Sequence, residues 1–119
     1  MRYLLLICDD ENRISSLPEA ELARRHQAWS DYNRRLAETN KLRGGERLRP
    51  AATATTVRLN GSNEPLLSDG PFAETKEQLG GYFLVEAADL DEAVELASTM
   101  PHLPSGGSVE VRPIWEMTL

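Results

Sequence analysis

One cysteine and two histidines are all that this chain of 119 residues carries of the side chains most used for covalent and metal chemistry. Cys8 has no second thiol to join, so an internal disulfide is excluded and a reducing, cytoplasmic setting is expected. His26 and His102 lie far apart with no helical pairing, and no paired cysteines stand near them, so no metal site is expected. Long apolar runs are also missing. The longest, Tyr3 to Cys8, has the length of a strand, so neither a membrane span nor a secretory leader is expected. Positive charge is in deficit, with 13 Lys and Arg against 19 Asp and Glu and a net charge of −6. Binding a polyanion needs a clustered basic surface, which argues against nucleic acid as a partner. The pairs Arg24-Arg25 and Arg34-Arg35 are interleaved with acids and read as a solvated helix face. Walker loops, dinucleotide glycine patterns and the Gly-x-Ser-x-Gly elbow are all absent, and no cofactor is expected.

What remains is the make-up of an ordinary globular protein, 40% hydrophobic and 27% charged, long enough to bury a core as one domain over residues 1–119. "RYLLLICDD" is apolar on both alternating faces, the mark of a strand inside a sheet or an interface, and Asp9, Asp10 and Asn12 end it. Ser16-Leu17-Pro18-Glu19 fits a capping box. Leu22, His26, Trp29 and Leu36, with Asn33, then form one helical stripe. Asn40 and Gly44-Gly45 mark the stop, and "GGERLRP" reads as a bridging segment. "TATTVRL" (53–59) alternates like a strand, Asn60-Gly61 signals a hairpin, and "EPLLSD" returns. Gly80-Gly81 opens "YFLVEA", again apolar on both faces. Asp89 with Glu92 caps a second helix whose inner stripe is Leu90, Ala93, Ala97 and Met100. Pro101 and Pro104 stop it, with His102 between them in a loop expected to be exposed. "SVEVRPIW" is a closing edge strand.

The order predicts an α+β, ferredoxin-like βαββαβ sheet with an extra hairpin. In that topology the first and third main strands are central, and these are the two that are apolar on both faces. Two helices cover one face of such a sheet. The other face is also apolar, so a homodimer packed through it is expected.

"DGPFAETKEQLGGYFLVEAADLDEA", followed by "GSVEVRPI", closely resembles the DGPF subgroup of the YCII-related proteins. "MRYLLLI" and "GGERLRPAATATTVR" resemble the same subgroup. The resemblance implies a dimeric α+β barrel. It also implies a site built from a histidine on the first helix and an aspartate. His26 matches the histidine and Asp69 stands for the aspartate. Some relatives dehalogenate or isomerise small ring compounds, and members of the subgroup often occur beside sigma factors.

Two readings of these residues stand together. His26 is either a core histidine with one nitrogen bonded or a general acid–base group in a half-buried pocket. Asp69 orients His26, accepts a proton, or caps the turn at Gly70-Pro71. Gly70 and Phe72 would shape a pocket around it, and Arg112, with Lys76 beside it as a second cation, would meet an acidic or aromatic ligand. The first functional expectation is therefore an enzyme or binding protein with lyase- or isomerase-type chemistry on a small cyclic acid, using His26 and Asp69. The alternative is a non-catalytic accessory or ligand-sensing protein linked to sigma-factor regulation.

Overall fold

Strands β1 (Arg2–Asp9) and β5 (Gln78–Glu86) form the centre of a four-stranded sheet in the order β2-β5-β1-β6, in a computed structural model that describes residues 1–73 and 75–117. Residues 118 and 119, the end of the expected domain, lie outside the described part. Every pairing in the sheet is antiparallel: β1 with β5, β1 with β6 (Ser108–Pro113), and β5 with β2 (Leu42–Arg47). The central strands are the two that are apolar on both faces, as the burial pattern predicts. Their alternation divides the sheet. Tyr3, Leu5 and Val85 are buried on one face, whereas Leu4, Leu6 and Leu84 are only half-buried on the other.

Helix α1 (Glu11–Ser15) is a single short turn that the sequence reading passed over. Asp10 caps it, its carboxylate accepting from the N–H groups of Asn12 and Arg13. Helix α2 (Glu19–Glu38) and helix α3 (Leu90–Ser98) cover the Tyr3 face. The core is Tyr3, Leu5, Val85 and Ala87 from the sheet side, Tyr32 and Leu36 from α2, and Ala93, Ala97 and Met100 from α3 and its end. Tyr32 donates its hydroxyl hydrogen to the Leu96 carbonyl at 2.6 Å, joining the two helices. No described helix is long and apolar enough to cross a membrane.

Several local expectations are corrected. The capping box at Ser16 does not form: Pro18 occupies the N-cap of α2 without a side-chain bond, and the Ser16 hydroxyl turns back to the Arg13 carbonyl. At α3 the expected cap is present, Asp89 accepting from the Glu92 N–H at 2.9 Å. Leu90, assigned to the inner stripe, is exposed in the first turn. The first four residues of the segment read as a bridge, Gly44 to Arg47, belong to β2. Gly45 and Gly81 let β2 and β5 approach closely: a Cβ at Gly45 would lie 2.7 Å from the Tyr82 carbonyl oxygen, and one at Gly81 2.8 Å from that of Glu46. Glycines and charges hide this edge strand from a search for alternation.

"TATTVRL" and "EPLLSD" become β3 (Thr55–Leu59) and β4 (Pro65–Asp69), which among the described residues pair with each other and with no other strand. The hairpin signal holds, but the turn spans residues 60–64. The Asn60 side chain accepts from Ser62 and Glu64 N–H groups, and Asn63 rather than Gly61 takes the left-handed conformation. His102, expected to be exposed, is fully buried. Its Nε2 lies 2.8 Å from the Ser108 carbonyl, its ring packs 5.4 Å from that of Trp29, and its Nδ1 has no partner among the described residues. Two nearby prolines suggested a surface loop, yet the ring packs against Trp29 of α2.

Candidate active site

The sheet's glycines matter most where α2 passes over it. Gly45, Gly80 and Gly81 lie beneath the first half of α2, and the space they leave is a cavity of about 710 Å³. Its apolar wall is Ile7 of β1, Ile14 of α1, Leu22 and Trp29 of α2, and Phe83 of β5. Trp29 is held edge-on to Tyr32 and packs at a 30° tilt against His102, so the buried histidine backs this part of the cavity wall.

The helical stripe read from the sequence therefore has two uses. Leu36, with Tyr32, enters the core, whereas Leu22, His26, Trp29 and Asn33 line the cavity. His26 is exposed to the cavity and its ring has no hydrogen-bond partner among the described residues. It is not the bonded core histidine of the alternative reading.

Part of the cavity wall is polar. Asp9, at the end of β1, is 6% exposed. Its Oδ1 accepts from the guanidinium of Arg13 and from the Asp10 N–H, and its Oδ2 accepts from Arg25 Nη2 at 3.0 Å. Neighbouring groups are tied to the backbone: Gln78 accepts from the Glu11 N–H and Glu11 from the Ala51 N–H, both at 2.9 Å. A short capped helix thus fastens β1, β5 and the segment after β2 into one rim. Among the described residues no group of three or more His, Cys, Asp and Glu side chains is placed to hold a metal ion.

Within one chain Asp69 is not on the cavity wall. It ends β4 on the hairpin, exposed, and its carboxylate accepts no hydrogen bond among the described residues, so it makes no capped turn either. Gly70 has φ +98°, its N–H donates to the Ala54 carbonyl, and its own carbonyl accepts from Thr56 Oγ1. Phe72 is 74% exposed with the Arg58 guanidinium 4.5 Å above its ring. Arg112 pairs with Glu110 at 2.7 Å on β6, opposite Leu4 on the uncovered face of the sheet, and Lys76 is exposed in the loop before β5. Of the site residues expected from the sequence, His26, Asp69, Gly70, Phe72 and Arg112 with Lys76, His26 alone lines the cavity. Asp9 and Arg25 were overlooked, the first as a strand breaker, the second as part of a solvated arginine pair. The signal for Arg25 was its place in the helical register, three residues after Leu22 and four before Trp29.

Cys8 does not line the cavity, and burial, with Glu77 and Glu110, pushes its thiol upward.

The sequence model of the YCII-related domain matches residues 1–118. A protein of Rhizobium meliloti (strain 1021), described only as uncharacterised, is 41% identical over 115 residues, covering 96% of this chain and 92% of that one.

Proposed function

The chain belongs to the YCII-related family, and on that premise we propose that it takes a small cyclic organic acid into the cavity under α2 and exchanges a proton with it through His26, as a lyase or isomerase does. The observation that supports this reading is a cavity of ligand size, about 710 Å³, whose apolar wall suits a ring and whose wall also carries an unbonded imidazole. Imidazole gives and takes protons near neutral pH, and an unbonded ring is free to meet a substrate atom. Arg112, opposite Leu4 on the face away from the cavity, would lie in an interface on that face, and Asp69, Gly70 and Phe72 take part only if a second copy brings them to the site. The homodimer we propose would do so through the Leu4, Leu6 and Leu84 face, with the exposed hairpin reaching the partner. The hairpin and its Asp69–Phe72 corner fit the DGPF subgroup.

The separation of Asp69 from His26 within one chain favours a second reading, a non-catalytic accessory or ligand-sensing protein linked to sigma-factor regulation. Thermal-shift screening with small acids and phenols tests the binding that both readings share, because a ligand of the folded state raises its stability by mass action. His26→Ala then separates them. Loss of turnover of a screened acid, with folding intact, is the result expected of the enzyme. Ligand binding without any turnover by the unaltered protein overturns the catalytic reading.

A further inference from the structure

We infer that Arg25, held by the buried Asp9, selects a singly charged carboxylate in this cavity; this rests on the cavity being the ligand site proposed above. Two guanidinium groups converge on one carboxylate, Arg13 on Oδ1 and Arg25 on Oδ2. The cluster therefore carries an excess of one positive charge. A guanidinium offers five N–H donors in a rigid fork, and only Nη2 of Arg25 has a hydrogen-bond partner among the described residues. Its side chain is 22% exposed and stands on the cavity wall, so its unused donors serve that space. Asp9 stops the long side chain from swinging away, which removes much of the ordering cost of binding.

The rest of the lining decides which anion fits. Asp9 and Glu11 put two carboxylates beside Arg25, with Arg13 behind Asp9, whereas Glu46 pairs with Tyr82 on the opposite face of the sheet and Arg47 is exposed. A dianion such as phosphate would meet those carboxylates with its second charge uncompensated, whereas a monoanion engages Arg25 alone. Trp29, Phe83 and Ile7 form an apolar wall for the remainder of the ligand. The class is an aromatic or cyclic monocarboxylate, its carboxylate on Arg25 and its ring against Trp29, with His26 one residue along the same helix.

The test uses benzoate, its neutral analogue benzamide and inorganic phosphate, titrated into the full chain and into Arg25→Gln and Arg25→Lys variants, with backbone amide shifts as the readout and circular dichroism as the control for folding. The unaltered protein should prefer benzoate to benzamide by about tenfold or more, the scale of a charge-assisted hydrogen bond. Arg25→Gln should abolish that preference by weakening benzoate binding more than benzamide binding, and Arg25→Lys should restore part of it. A preference that survives Arg25→Gln, or phosphate bound as tightly as benzoate, overturns the assignment to Arg25 and to a carboxylate. Binding of both aromatic compounds without preference counts against Arg25 alone. Failure of either to bind overturns this inference, and the ligand site itself falls if the wider screen of acids and phenols is also silent.

Discussion

Replacing Tyr32 with Phe removes one oxygen from the junction of α2, α3 and the sheet, and its consequences divide cleanly with pH. Tyr32 is 2% exposed and donates to the Leu96 carbonyl at 2.6 Å. Loss of one such bond, with the carbonyl left partly unpaired, costs about 1–2 kcal/mol near neutral pH. The phenol carries a second signature. Burial raises its pKa from the ordinary 10.0 to about 12, with the Arg35 charge opposing. The folded state holds this proton more tightly than the unfolded chain does. Its contribution to stability is therefore fully present below pH 10 and is lost as pH rises through about 12. Linkage puts the loss at ~1.4 kcal/mol by about pH 11, and solvent screening of the phenolate reduces it. Phe has no proton to release. Urea unfolding of both proteins at neutral pH and near pH 11 should show the Tyr protein ahead by 1–2 kcal/mol at the first pH and by little or nothing at the second. Using the difference cancels the titration of every other tyrosine and lysine. An advantage that stays constant across that range would refute the burial and bonding assigned to Tyr32.

Two further outcomes are expected. A methyl added at Gly107 would sit 2.3 Å from Cδ2 of the buried His102 ring and 3.1 Å from its carbonyl oxygen, so Gly107→Ala should cost about 2 kcal/mol, a fall in Tm on the order of 5–10 °C, whereas an unchanged Tm would show that the ring is not held there. The homodimer should sediment as such at micromolar concentration, burying more than ~1,000 Å², and should survive shortening of the loop at residues 60–64, because among the described residues β3 and β4 pair with each other and with no other strand; a monomer would remove the dimer from the account.

How much of this was legible depended on whether a residue's role was local. Strands apolar on both faces identify β1 and β5 as central, because burial on both sides leaves no polar alternation. The Asp89 cap was readable because its bond spans three residues. β2 was not, since an edge strand built on Gly44-Gly45 owes its pairing to close approach by β5 rather than to its own side chains. His102 was hidden for the same reason: what buries it is Trp29, more than seventy residues earlier. At the site the sequence offered His26 through helical spacing. It withheld Asp9, whose partners Arg13 and Arg25 come from two different helices. The motif Asp69-Gly70-Pro71-Phe72 was the most conspicuous stretch of the chain, and within a single chain it forms the end of the hairpin, away from the cavity.

The central claim, that the cavity under α2 is where a small organic acid binds, is tested most directly by amide shift mapping with the best acid from the thermal-shift screen. The shifts should concentrate on Leu22 to Asn33 of α2 and Gln78 to Phe83 of β5, and the His26 ring resonances should move with them. Shifts confined to the hairpin, or to the Leu4 and Leu84 face of the sheet, with the His26 ring unmoved, would contradict it.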